Sequence, residues 1–173
     1  YAFVGHRLAS QGALVIVADY RTFPRTAFPG FVMDAAAAVA WSRQHAAEYG
    51  GDPQRLFVAG HSAGAQIAAL IGTDASHLAP HGLRPRDLAG VIGLSGPYDF
   101  GIAGYEDVFG PESQWPRTQA VNFVDGDEPP RPCRERLALE LCCAEFGDDH
   151  VHFAARGRDR AAERGHDLAD RPA

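Results

Sequence analysis

Short apolar runs alternate with helical periodicities along the first hundred residues. Tyr1, Val4 and Leu8 recur at helical spacing, and Gly12 closes that segment. Residues 13–19 (Ala-Leu-Val-Ile-Val-Ala-Asp) are apolar and β-branched, the pattern of a strand buried on both faces of a parallel sheet. Pro24 and Pro29 mark an irregular loop. Residues 31–49 are rich in Ala and periodic, which predicts a helix stopped by Gly50-Gly51. Residues 55–60 (Arg-Leu-Phe-Val-Ala-Gly) read as a second buried strand, 62–72 as a small-residue helix and 89–95 (Ala-Gly-Val-Ile-Gly-Leu-Ser) as a third strand. Strand, helix, strand, helix, strand predicts an α/β fold: a parallel sheet with flanking helices and right-handed crossovers. No internal repeat is visible.

The pattern stops at Pro130. Residues 134–146 place Leu137, Leu141 and Ala144 on one side of an amphipathic helix. From Gly147 onward Arg, Asp, Ala, Gly and His follow without period. Too little apolar surface is available there to offset the entropy of ordering, so that stretch is expected to be poorly ordered.

Composition sharpens the break. Residues 1–130 carry eight Arg, thirteen Asp and Glu, and no Cys; residues 131–173 carry eight Arg, nine Asp and Glu, and all three Cys, with one Val and no Ile or Thr. We therefore read 1–130 as a partial α/β core and 131–173 as a segment of different origin, the product of a shifted reading frame near Pro130. Retranslating the gene in its other two frames tests that reading.

A chain of 173 residues fits one domain. Its longest apolar runs, residues 13–18 and 35–41, fall short of the roughly 20 residues a bilayer span needs, so no membrane span is expected. A net charge of −6 and no basic cluster before residue 130 argue against nucleic acid as the main partner. All sixteen basic residues are Arg, which reads as the bias of a GC-rich genome. The sequence opens on Tyr1 and its one Met is Met33, so the natural start is expected to lie upstream. No leader is recognisable, and a cytoplasmic setting is the expectation.

Residues 60–64, Gly60-His61-Ser62-Ala63-Gly64, form a G-x-S-x-G between an apolar strand and a small-residue helix. That context is what a nucleophile elbow requires: a sharp, strained turn that lifts the serine hydroxyl above the sheet edge. Gly60 and Gly64 fit because side chains there would meet neighbouring backbone. The Ala63 N–H, at the helix start, is placed to donate to an oxyanion. The competing reading is a glycine-flanked turn with a serine helix cap. His61 is adjacent to the serine, but neighbours in a tight elbow project apart, so it reads as a packing residue, not a base.

Further strings accompany the elbow: Asp19-Tyr20-Arg21, Phe28-Pro29, Asp34, Trp41, Tyr49-Gly50-Gly51-Asp52-Pro53, Leu94-Ser95-Gly96-Pro97-Tyr98-Asp99 and Val124-Asp125-Gly126-Asp127-Glu128-Pro129-Pro130. In this order and company they resemble the α/β-hydrolase superfamily. The resemblance is closest to its carboxylesterase branch, the hormone-sensitive-lipase-like and feruloyl or acetyl esterases, and covers residues 1–130 nearly continuously. It implies Ser62 as the nucleophile of a carboxylic-ester hydrolase acting through an acyl-enzyme, with Ala63 in the oxyanion hole, a small-molecule ester as substrate and no cofactor. It also implies that Asp19, Arg21 and Asp34 form a charge cluster supporting a loop near the site, with substrate contact as the alternative. Asp99 reads as a turn residue, with substrate contact again the alternative.

Three parts of the family pattern are missing. A His-Gly-Gly type loop would precede the first helix. Its leading strand would lie between the strands at 13–19 and 55–60, so the sheet is expected to show two unpaired inner edges. The triad acid, on a Gly-x-x-Asp after an apolar strand, and the triad His are not found after Pro130, where Arg131-Pro132-Cys133 follows instead. Asp148, Asp149, His150, His152, His166 and Asp167 could be written in triad order, but no recognisable strand fixes their geometry. Cys142 and Cys143 are adjacent, and no Cys or His pair has metal-ligand spacing. The sequence therefore predicts an ester hydrolase, impaired as written. The alternatives are an arylformamidase- or peptidase-like hydrolase on the same fold, or a non-catalytic remnant. Oligomeric state is left open.

Overall fold

A computed structural model of the chain describes residues 1–129 and the main chain of residues 151–156. Its strands are β1 (Ala13–Ala18), β2 (Leu56–His61), β3 (Gly90–Leu94) and β4 (Val151–Arg156). They form one sheet in the order β1-β4-β2-β3. Helices α1 (Ala2–Ala9), α2 (Gly30–His45), α3 (Ala63–Thr73), α4 (Ala75–Leu78) and α5 (Glu106–Phe109) connect and flank it. Each predicted element of the first hundred residues is present, with ends shifted by a few residues. The helix expected over 31–49 ends as α2 at His45, and a tighter 3-10 turn, Ala46–Tyr49, carries the chain to Gly50 at φ 80°. Gly12, at φ 84°, follows α1 in the same left-handed region that glycine tolerates.

β2 and β3 pair in parallel, from Phe57 opposite Gly90 to His61 opposite Leu94. β4 is antiparallel to both β1 and β2. The strands β1, β2 and β3 therefore point the same way, and their carboxyl ends share one edge of the sheet. The expectation of two unpaired inner edges is corrected: β4 occupies the slot between β1 and β2. Two facing rows of backbone N–H and C=O groups are costly to leave unmade, and a six-residue strand satisfies both. The run 151–156 has neither Gly nor Pro, but the aperiodic stretch around it hid the strand from a pattern reading. The helix expected over 134–146 lies outside the described residues. So does the rest of the segment from 147 that was expected to be poorly ordered.

A second correction concerns β1, which is not buried on both faces. Its Ile16 and Ala18 pack toward the core, but Val17 is 43% exposed. β1 is an edge strand, and the short helix α1 that lies over it, with Gly5 against Val17 and Val15, is too small to seal that face.

The core lies between the sheet and helices α2 and α3. Val32, Ala36 and Val39 of α2, Val58 of β2, and Leu70 and Ile71 of α3 are fully buried. Each large aliphatic side chain buried this way contributes about 1.5–3 kcal/mol of transfer free energy. Small residues on α2 and α3 let the two helices and the sheet approach closely. At Gly72 an added Cβ would come within 2.6 Å of the Val91 side chain.

The segment after β3 is tied back onto this core. Gln66 of α3 donates from its side-chain amide to the Thr118 carbonyl at 2.8 Å. The Gln119 side chain accepts from the Phe100 N–H at 3.1 Å and donates to the Phe100 carbonyl at 2.9 Å. Phe109 of α5 stands edge-on to both Phe31 and Phe100.

Candidate active site

β2 enters the elbow through Gly60 and His61, and α3 leaves it at Ala63. Between them Ser62 adopts φ 52° and ψ −119°, a backbone conformation that costs an L-residue free energy and persists only where its surroundings hold it. Three contacts hold it. The Ser62 N–H donates to the Leu94 carbonyl of β3 at 2.9 Å, and the Ser62 carbonyl accepts from Ala65 and Gln66 at 3.0 and 3.2 Å. Gly60 makes the turn sterically possible, because a Cβ there would fall on the Gly64 carbonyl group.

Ser62 is exposed at the carboxyl edge of the sheet, and its side chain does not cap α3. Among the described residues no side chain hydrogen-bonds its hydroxyl. Ala63, half-buried, opens the eleven-residue helix α3, so its N–H has no intrahelical acceptor. An N–H in that position, at the positive end of the helix dipole, suits an anionic oxygen.

His61 points away from this arrangement. Its Nδ1 lies 3.0 Å from the Tyr1 hydroxyl, and the two rings meet at 6.4 Å. The pair tethers the start of α1 to the end of β2.

Asp19 and Arg21 lie on the loop that leaves β1, and Asp34 lies in the first turns of α2. Arg21 donates to Asp34 three times: from Nε at 2.9 Å, from Nη2 at 2.7 Å and from its backbone N–H at 3.0 Å. Those hydrogen bonds hold the Asp34 carboxyl below the usual carboxylate range. Asp19, Arg21 and Asp34 also border an open cavity of about 620 Å³, together with Tyr20, Phe23 and Arg25.

Asp99 is exposed, five residues beyond the end of β3. The loop at 125–128 is closed by its own carboxylates: Glu128 accepts from the backbone N–H groups of Asp125 and Gly126, which lowers its pKa. Arg86 holds Asp127 at 2.8 Å.

The Asp and His residues considered as a replacement acid and base, Asp148, Asp149, His150, His166 and Asp167, lie outside the described residues. His152 is on β4, of which only the main chain is described. Among the described residues no cluster of three or more His, Cys, Asp or Glu could hold a metal ion, and no helix is long and apolar enough to cross a membrane.

Pattern reading passed over Ser95. It follows β3 directly, beside Ser62, and has φ 53°. The signal was available: a polar residue at a strand's carboxyl end, flanked by Gly93 and Gly96 as Ser62 is by Gly60 and Gly64.

A family model described as the alpha/beta hydrolase fold matches residues 2–106. Among its relatives, the chain is 33% identical over 123 residues to "Esterase LipC" of Mycobacterium tuberculosis, covering 69% of this chain and 28% of that protein. It is 30% identical over 146 residues to the "Probable isoprenylcysteine alpha-carbonyl methylesterase ICME" of Oryza sativa subsp. japonica, covering 82% of this chain and 34% of the relative. A shorter match, 44% identical over 66 residues, joins 38% of the chain to 20% of "Carboxylesterase NlhH" of Mycobacterium tuberculosis. The chain thus spans about a third or less of the length of these relatives. No solved structure matches it significantly.

Proposed function

Because the chain belongs to the alpha/beta-hydrolase fold family, we propose that it is a serine hydrolase of carboxylic esters that is acylated on Ser62. The observation that carries this reading is the strained, exposed Ser62 between β2 and α3. Such strain is tolerated where function demands it, and here it presents a hydroxyl at the sheet edge with the Ala63 N–H beside it. The esterase names of the relatives support an ester as the substrate class.

The mechanism that follows is acyl transfer. The Ser62 oxygen attacks the ester carbonyl, the developing oxyanion is received by the Ala63 N–H, the alcohol leaves, and water then releases the acid. His61, whose Nδ1 is engaged with the Tyr1 hydroxyl, is a packing residue in this reading and not the base. One observation favours a second reading, the non-catalytic remnant: no described carboxylate or imidazole reaches the Ser62 hydroxyl. Triad members act as a unit, so a nucleophile without its base retains little of the full rate. We therefore infer low turnover for the chain as written.

Titration with an alkyl fluorophosphonate tests the reading. Stoichiometric labelling that is lost in Ser62→Ala supports the acyl-enzyme. A wild-type chain that stays unlabelled, while circular dichroism shows it folded, leaves the remnant.

A further inference from the structure

Ser62 has a counterpart on the neighbouring strand. In the parallel pairing of β2 and β3, His61 stands opposite Leu94, so Ser62 and Ser95 are the next residues along each strand. The hydrogen bond from the Ser62 N–H to the Leu94 carbonyl fixes the two chain ends side by side. Neighbouring strands lie about 4.8 Å apart, which sets the scale of the separation. Among the described residues these two serines are the non-glycine residues with positive φ, at 52° and 53°. Both are exposed.

Tyr98 folds back over the glycines on either side of Ser95. The chain turns back after Gly96, and the Tyr98 side chain lies over the end of β3. Its hydroxyl occupies the place a Cβ on Gly93 would take, and its ring lies 2.5 Å from where a Cβ on Gly96 would be. Two glycines, one on each side of Leu94-Ser95, thus make room for one tyrosine. A serine in this conformation costs free energy that glycine would not, yet the chain keeps a hydroxyl here, beside the nucleophile.

We propose that the Ser95 hydroxyl is a substrate-contacting group that donates a hydrogen bond to an oxygen on the acyl portion of an ester held at Ser62, and that Tyr98 is its positioning residue. The inference rests on the Ser62 reading and deepens it by naming a substrate class: acyl groups with an ether, hydroxyl or carbonyl oxygen near the ester carbonyl, favoured over purely alkyl ones of the same shape. A neutral hydrogen bond at a solvent-accessible site separates such a pair by a few-fold.

4-Nitrophenyl methoxyacetate and 4-nitrophenyl butyrate are nearly isosteric and differ by an oxygen in place of a methylene. The first turnover of each is read as nitrophenolate release. In that step the Ser62 oxygen bonds the carbonyl carbon, the aryl ester C–O bond breaks, 4-nitrophenolate leaves with the electron pair, and the hydroxyl proton passes to water. Intrinsic reactivity differs between the esters, so the readout is the ratio of their rates in each variant. Ser95→Gly removes the hydroxyl and suits the φ, so it folds. The methoxyacetate-to-butyrate ratio is expected to fall about threefold or more. Tyr98→Ala is expected to lower the ratio similarly, and Tyr98→Phe, which keeps the ring on Gly96, to restore it. A merely structural loss at Tyr98 would slow both esters alike and leave the ratio unmoved.

If the wild-type chain reacts with both esters and the fluorophosphonate but the ratio is the same in Ser95→Gly, the role of Ser95 is overturned and that of Ser62 stands. If the folded wild-type chain reacts with none of the three, the Ser62 reading fails and takes this inference with it.

Discussion

Gly60 lies against Gly64 across the elbow so closely that a Cβ on Gly60 would fall on the Gly64 carbonyl group and within 2.7 Å of the Ala65 backbone nitrogen. Backbone cannot swing aside as a long side chain can. Gly60→Ala is therefore expected to cost about 2–4 kcal/mol, the range of severe core overpacking and strain. Urea unfolding followed by circular dichroism measures it. A midpoint equal to that of the wild-type chain would show that the elbow can open and that the glycine is not required by the turn.

The elbow and the three strands that point toward it were legible because each rests on local chemistry. Residues 13–18, 56–60 and 90–94 are short apolar runs bounded by turn residues, and Gly60, Ser62 and Gly64 occupy a strand-to-helix turn. What escaped was set by tertiary context. The strand at 151–156 exists only as the occupant of a slot between β1 and β2, two segments more than ninety residues upstream. The exposure of Val17 follows from the place of β1 at the sheet edge, which composition does not reveal. The positive φ of Ser95 and the return of Tyr98 over Gly93 and Gly96 are features of the folded turn that no periodicity encodes.

The Arg21–Asp34 pair predicts a specific acid limb. Hydrogen bonds from Arg21 depress the folded-state pKa of Asp34 below the ordinary carboxylate value. Its contribution is present above the unfolded pKa, about 4, and is lost as pH falls through the depressed folded value. Asp34→Asn is expected to lower the unfolding temperature at pH 7 by a few degrees and to flatten the decline below about pH 4. Arg21 is largely exposed, so the difference should shrink in 1 M salt. Thermal scans across pH at two ionic strengths decide it; a mutant curve parallel to that of the wild type at every pH counts against the pair.

Gln66 joins α3 to the segment after β3. It is 2% exposed, and its amide serves the Thr118 carbonyl. Gln66→Leu would leave that carbonyl without its partner, a loss of about 1–3 kcal/mol. Because the bond anchors residues 118–123, the effect should be local as well as global: backbone amides there should exchange faster while those of β2 and β3 keep their protection. Hydrogen exchange resolved by residue distinguishes this from uniform destabilisation, which would accelerate all of them together.

His77 sets a limit at mildly acidic pH. The imidazole is 5% exposed, and its Nε2 stands 3.4 Å from Asp74 Oδ2 without completing a hydrogen bond. Burial lowers its pKa; the Asp74 carboxylate opposes the shift and Arg117 adds to it. With the folded pKa below the unfolded value, the unfolded chain takes up a proton first as pH drops. Stability should therefore hold above about pH 6.5 and decline as pH falls through that value toward the depressed folded pKa. The other carboxyl oxygen of Asp74 accepts from the Ser76 N–H at the start of α4, so strain at His77 should loosen that turn as well. His77→Gln keeps a polar group in the site but cannot titrate. It is expected to be less stable than the wild-type chain at pH 8, and to lose less between pH 7 and pH 5. Urea midpoints across that interval measure both slopes. A wild-type midpoint that stays level from pH 7 to pH 5, or a variant that declines just as steeply, would assign the acid sensitivity to other groups.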